Sequence, residues 1–114
     1  MSKISAKQFI MVNRATGEQI IGKNELLMRE CASLTKIMTF YLSCQLCDKL
    51  NIDPSLTYFQ ISKKAARMIG TTANLVRDTW VTLQDLFYGM MLPSGNDSAL
   101  AVAENLGLVY KLGY

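Results

Sequence analysis

Apolar positions follow two different rhythms along this chain. Near the N-terminus they come as short clusters, Phe9-Ile-Met-Val12 and Ile20-Ile21, on either side of Asn13-Arg-Ala-Thr-Gly17. Clusters of that length around a turn-rich pentapeptide predict a β-hairpin over about 6–23, with strands at Gln8–Val12 and Glu18–Gly22. Asn13 suits turn initiation and Gly17 a positive φ. After a loop at Leu26–Cys31 the rhythm becomes helical. Leu34, Ile37, Met38, Tyr41, Leu42 and Leu46 form one stripe, which predicts a helix over about 33–50 packed through that face. Asn51 to Pro54 ends it.

The remaining pattern predicts a short extended piece at Thr57–Ile61 and a helix at Lys63–Met68, with Ser62 as its N-terminal cap and Gly70 as its C-terminal cap. Residues 71–80 form a polar loop, which Trp80 anchors. Thr82 with Asp85 three residues on resembles a capping box opening a helix from Leu83 to Leu92, where Pro93 stops it. Ser94-Gly95-Asn96 is the next turn, and Asn96 or Asp97 caps a last helix to about Asn105. Met90 and Met91 belong to the core, and Lys63, Lys64 and Arg67 to a solvated face. The helical region thus covers about 62–106. A two-stranded hairpin leaves two open edges and cannot cover these helices, so an exposed sheet edge predicts self-association or a partner chain that supplies further strands.

Composition narrows the chemistry. At 114 residues, half of them hydrophobic and 18% charged, the chain fits one ordinary folded domain over 1–114. The net charge of +3 is mild and without a basic stripe, which argues against a nucleic-acid partner. No apolar run approaches the roughly 18 residues of a membrane span, and the N-terminus does not have a signal-peptide pattern. As given, such a chain would stay in the cytosol, and three cysteines fit a reducing compartment. The chain has no histidine. That removes the Ser-His-Asp triad, the Cys-His dyad and zinc sites that use His. Any nucleophile must be activated otherwise, and lysine is the main remaining candidate.

Two short stretches carry candidate chemistry. In ASLTKIMT, Ser33 and Lys36 are three apart and share a helix face. Ser33 near a helix N-terminus would place a developing oxyanion against free N–H groups, and a neutral Lys36 would take the hydroxyl proton. Packing between Leu34 and Ile37 would desolvate the amine and favour its neutral form. The plain alternative is a serine near a cap followed by a surface lysine. In LPSGND, a Pro-ended helix and a tight turn display Ser94 and Asn96 together, or merely join two helices. Cys44-Gln-Leu-Cys47 has the spacing of a redox pair or half a metal site, but fits better as two small helix residues, at least one buried.

Taken together, ASLTKIMT and MMLPSGND resemble the first two motifs of the D-alanyl-D-alanine carboxypeptidases among the penicillin-binding proteins. FIMVNRATGEQIIGKN, ISKKAARMIGTT and VTLQDLFYGMMLPSGNDSALAVAE are similar to the same family, so the resemblance runs from about Ala6 to Leu106. It implies a mixed α/β fold of the serine β-lactamase-like kind, truncated here to the hairpin and helical region. It also implies Ser33 as the acylated nucleophile, Lys36 as its general base and Ser94 as the relay of a proton to the leaving amine. Asn96 would hold the substrate amide and help position Lys36, and the Ser33 N–H would be an oxyanion donor. The substrate would be a peptide ending in D-Ala-D-Ala, with β-lactams as mimics and no metal or cofactor, and the family's place is the cell envelope.

The chain departs from the pattern in places. No Lys-Thr-Gly follows Asn96, and that motif's strand carries a second oxyanion donor and contacts to the substrate carboxylate. Cys31 stands where proline is usual, and Arg77-Asp78-Thr79 replaces a Pro-Gly-like turn. A β-lactamase of class A would have Asp where Gly95 stands. The alternative to an enzyme is a truncated, non-catalytic relative that binds a ligand or partner.

Overall fold

The computed structural model describes residues 4–113; Met1–Lys3 and Tyr114, the ends of the expected 1–114 domain, lie outside the described residues. The chain forms two compact units, one ending at Glu30 and the other beginning at Cys31.

The first unit is the expected hairpin. Strand β1 (Phe9–Val12) pairs antiparallel with β2 (Gln19–Lys23), with Phe9 opposite Lys23 and a register shift between Met11 and Val12. Its turn is built as the sequence implied. Asn13 Oδ1 accepts from the Ala15 N–H at 2.9 Å, the Gly17 N–H reaches the Asn13 carbonyl at 2.7 Å, and Gly17 has φ +75°. Beyond β2, Gln8 Nε2 donates to the carbonyls of Asn24 and Leu27, both at 2.7 Å, which folds the following loop onto the strand.

The second unit carries the core. After a 3-10 turn at Ala32–Leu34 comes α1 (Thr35–Leu50), ended by Asn51 in the left-handed conformation. Strands β3 (Tyr58–Gln60) and β4 (Trp80–Thr82) pair antiparallel as a second small sheet. Helices α2 (Leu83–Met91) and α3 (Asn96–Leu112) follow. Helix α2 buries Leu83, Leu86, Phe87 and Met90, a set at i, i+3, i+4 and i+7. Helix α3 answers with Ala101, Val102 and Leu106, and Ile61 closes the core beside β3. Each fully buried Leu, Ile or Met contributes about 1.5–3 kcal/mol. The start of α2 is the expected cap: Thr82 Oγ1 accepts from the Asp85 N–H at 3.0 Å and donates to Asp85 Oδ2 at 2.7 Å.

Several expectations are corrected. The stripe read as the buried face of α1 is exposed at Leu34, Ile37, Met38, Tyr41 and Leu42, and only Leu46 is half-buried. Helices α2 and α3 meet α1 on another side, where Ser43 and Cys47 are buried and Phe40 packs edge-on against Phe87 at 5.1 Å. The helix expected at Lys63–Met68 is a single 3-10 turn, Ala65–Arg67. Ser62 Oγ does cap it, accepting from the Ala65 N–H at 2.9 Å, but Met68 already turns extended, so Gly70 caps nothing. Trp80 does not anchor a loop: it opens β4 and is 64% exposed. Met90 is core, whereas Met91 is 40% exposed. Helix α3 runs to Leu112 rather than Asn105, and its N-terminal cap is Gly95, with neither Asn96 nor Asp97 in that role.

Candidate active site

Ser33 lies in the 3-10 turn ahead of α1, not within the α-helix, and Lys36 in the first turn of α1. Lys36 Nζ donates to Ser33 Oγ at 3.3 Å and to Asn96 Oδ1 at 2.8 Å, across sixty residues of sequence in the second case. The first distance is long for an N–H···O bond and the second short. Leu34 and Ile37 do not wrap the amine as expected, since they are 67% and 55% exposed. What holds Lys36 is Asn96.

Asn96 is itself held at both ends. Its side-chain Nδ2 donates to the Ile69 carbonyl at 2.8 Å, and its backbone N–H to the Thr71 carbonyl at 2.7 Å. An amide whose nitrogen is so engaged presents its oxygen to Lys36. Gly70 makes this approach possible: a Cβ there would stand 2.6 Å from Asn96 Nδ2.

Ser94 reaches the same place from the α2–α3 turn. With Ser33, Lys36, Ile37 and Met90 it lines a cleft of about 390 Å³. A second groove, of about 510 Å³, runs along the Asn96 side past Ser33, Lys36, Met68 and Leu100. Ser33 and Lys36 therefore line both open spaces. Ala32 (φ +46°) and Ser94 (φ +58°) are both in the left-handed region, at a cost of about 1–2 kcal/mol each. Strain of this sort is tolerated where surrounding structure over-determines the backbone, and here it flanks the clustered polar groups.

One residue that the sequence reading treated only as a cap stands out. Asp97 is 2% exposed, and its carboxylate accepts from the Ala73 N–H at 2.9 Å, the Leu75 N–H at 3.1 Å, the Ser98 N–H at 2.9 Å and the Thr72 hydroxyl at 2.7 Å. Burial alone would raise its pKa, but these hydrogen bonds outweigh burial and hold the carboxyl below its ordinary value. An acidic residue in the first turn of a long helix was the only local signal.

The cysteine pair behaves as small packing residues. Cys47 is buried and Cys44 half-buried, and burial pushes both thiols up, with the Asp48 carboxylate adding to it. Among the described residues, no group of three or more His, Cys, Asp or Glu is placed to hold a metal, and no helix is long and apolar enough to cross a membrane. Lys63, Lys64 and Arg67 are exposed, as expected.

The family model described as D-alanyl-D-alanine carboxypeptidase matches residues 1–108. The D-alanyl-D-alanine carboxypeptidase DacF of Bacillus subtilis (strain 168) is 34% identical over 99 residues, covering 87% of this chain and 25% of the relative. That of Streptomyces sp. (strain K15) is 32% identical over 101 residues, covering 84% and 33%. The crystal structure of DacD from Francisella tularensis superposes with a TM-score of 0.86 at 32% identity, over 92% of this chain and 25% of that one. Penicillin-binding protein 6B from Escherichia coli follows at TM-score 0.81 and 25% identity, over 97% of this chain and 40% of that one. The chain thus spans about a quarter to a third of the length of the curated relatives it matches. Its mixed α/β elements are a portion of the carboxypeptidase fold, and the chain belongs to the D-alanyl-D-alanine carboxypeptidase family.

Proposed function

We propose that this chain carries the acylating half of a serine-type D-Ala-D-Ala carboxypeptidase site. The observation that supports it most is the pair of Lys36 hydrogen bonds, to Ser33 Oγ at 3.3 Å and to Asn96 Oδ1 at 2.8 Å. A nucleophile, a base and a group that orients the base follow one another within hydrogen-bond reach.

In the reaction, Lys36 with its amine neutral takes the proton of Ser33 as Oγ attacks the carbonyl carbon of the penultimate D-Ala. The oxyanion of the tetrahedral intermediate meets the Ser33 N–H. As the C–N bond to the terminal D-Ala breaks, the proton passes from Lys36, through the Ser94 hydroxyl, to the departing amine. D-Ala leaves and an acyl-serine ester remains, which water hydrolyses to free the shortened peptide and regenerate Ser33. A β-lactam enters the same step, its ring amide opening onto Ser33. Asn96 serves twice, holding Lys36 and offering its amide to the substrate's peptide group.

No Lys-Thr-Gly follows Asn96 in the sequence, so the second oxyanion donor carried by that motif is not supplied from this stretch. With only one of two donors acting, the rate falls on the order of 100- to 1000-fold, so acylation by residues 1–114 alone is expected to be slow. The test is prolonged incubation with a fluorescent penicillin, read by intact mass and checked by circular dichroism. A one-to-one adduct that disappears in both Ser33→Ala and Lys36→Ala supports the reading. A folded chain that stays unmodified, or an adduct that survives Ser33→Ala, refutes it and leaves a non-catalytic, ligand-binding relative.

A further inference from the structure

We propose that Asp97 is the positioning residue of this site: its carboxylate clamps residues 72–75 to the start of α3, which fixes the adjoining Ile69–Thr71 stretch that aims the Asn96 amide at Lys36. The inference rests on the acylation reading for its catalytic consequence, though its geometric part stands separately.

Four donors converge on Asp97: two backbone N–H groups from Ala73 and Leu75, the Thr72 hydroxyl, and the Ser98 N–H. Only an acceptor-only side chain satisfies all of them at once, which is why a carboxylate and not an amide belongs here. Burying a charge to 2% exposure is costly unless it is hydrogen-bonded all round, as this one is. The result is a fixed path for residues 72–75. Immediately upstream on that path, the carbonyls of Thr71 and Ile69 receive the backbone and side-chain N–H groups of Asn96. Asn96 and Asp97 are adjacent, so the two residues grip the same strand of backbone from one helix end.

Packing at Gly95 and Gly89 fits a clamp of this kind. A Cβ on Gly95 would meet Asp97 Oδ1 at 2.6 Å, the Gly89 carbonyl at 2.7 Å and the Ala73 nitrogen at 2.9 Å. A Cβ on Gly89 would run into Ser98 Oγ and meet Ala73 Cβ at 2.9 Å. The 73 segment closes on the α2–α3 turn because neither position carries a side chain.

The experiment compares the wild-type chain with Asp97→Asn, Thr72→Val and the distant cap variant Thr82→Ala. It follows hydrogen exchange of the Asn96 side-chain amide by NMR, and separates penicillin binding from first-order acylation. Asp97→Asn should expose the Asn96 amide to exchange about tenfold faster and slow first-order acylation by at least as much, the worth of one lost hydrogen bond, with noncovalent binding little changed. Thr72→Val should do the same to a smaller degree, about threefold. Thr82→Ala, which lowers stability without touching the clamp, should move neither reading. A folded Asp97→Asn with wild-type exchange at Asn96 overturns the proposal. If Asp97→Asn does not fold, unchanged exchange in Thr72→Val overturns it instead. A wild-type chain that is never acylated defeats the catalytic reading alone, and the exchange measurement still decides whether Asp97 positions Asn96.

Discussion

Replacing Gly70 with alanine is the sharpest single perturbation of this site, because the structure separates its costs. Gly70 has φ +97°, and an alanine Cβ there would stand 2.6 Å from Asn96 Nδ2 and 3.7 Å from Asn96 Cγ. The backbone conformation alone costs an L-residue about 1–2 kcal/mol. The collision is additional. The amide must swing away from Ile69, giving up the 2.8 Å bond to that carbonyl, and it carries its oxygen away from Lys36. Those losses add about 1–2 kcal/mol, since the Lys36 contact is only part-buried. The total of about 2–4 kcal/mol lowers the melting temperature by on the order of 10–20 °C for a unit of this size. On the acylation proposal, misplacing the Asn96 amide that orients Lys36 should slow acylation by roughly 10- to 100-fold.

Gly17→Ala is the matched comparison. Its φ of +75° imposes a similar backbone cost, but nothing lies within 4 Å of the added Cβ. Thermal unfolding followed by circular dichroism, and time courses of penicillin labelling on the folded protein, should therefore diverge between the two variants. Gly70→Ala should lose both stability and acylation rate. Gly17→Ala should weaken the hairpin and leave the acylation rate as it was. The reasoning fails if Gly70→Ala labels at the wild-type rate, or if both variants slow it equally, because the loss would then come from strain and not from the Asn96 collision.

Acid should act through Asp97. Its carboxyl titrates below the ordinary value in the fold, so its contribution to stability is complete above the unfolded value, about 3.9, and is lost as pH falls through the lower folded value. Urea midpoints for wild type should therefore drop in that acid window more steeply than those of Asp97→Asn; parallel curves would refute the assignment. Thr82→Ala should cost about 1 kcal/mol by removing the α2 cap, read as a shift of the urea midpoint at constant slope. With iodoacetamide at mildly alkaline pH, the exposed Cys31 should be modified first in the folded protein, and Cys44 and Cys47, half-buried and buried with raised thiols, only after denaturation. Intact mass counts the adducts, and early labelling of Cys47 would contradict its burial.

What was legible in the sequence is what local chemistry decides. The hairpin turn follows from Asn13 and Gly17, the α2 cap from Thr82 and Asp85, and the facing of Ser33 and Lys36 from a spacing of one helical turn. Each involves partners a few residues apart. The α1 stripe shows the limit of such reasoning. Periodicity identified an apolar face correctly, but it cannot say which face the neighbouring elements cover, and in this chain they cover the side of Phe40, Ser43 and Cys47. Asp97 was illegible for a related reason. Three of its four partners lie 22 to 25 residues upstream in an irregular loop, and three of the four donors are backbone N–H groups, which carry no residue signature. The pairing of β3 with β4 joins segments as distant, and each strand is only three residues long.

The same contrast bears on how the site can work. Ser33, Lys36, Ser94 and Asn96 all belong to the unit that begins at Cys31, and so do Ile69, Gly70, Thr71 and Asp97, the residues that hold Asn96 in place. The hairpin contributes none of them. The arrangement of the proposed nucleophile, base and orienting amide therefore depends on the packing of α2 against α3 and on the loop pinned by Asp97, both within one core. Oxyanion stabilisation is a different matter, because only one of its two proposed donors, the Ser33 N–H, belongs to this constellation. Positioning and transition-state stabilisation are physically separable contributions, the first setting whether Ser33 can attack and the second how fast the intermediate forms. Residues 1–114 by themselves, with the first and one donor of the second, should thus acylate slowly but at the right serine, and the loss of that slow labelling in Ser33→Ala and Lys36→Ala, with its further slowing in Gly70→Ala, would tie it to the constellation described here.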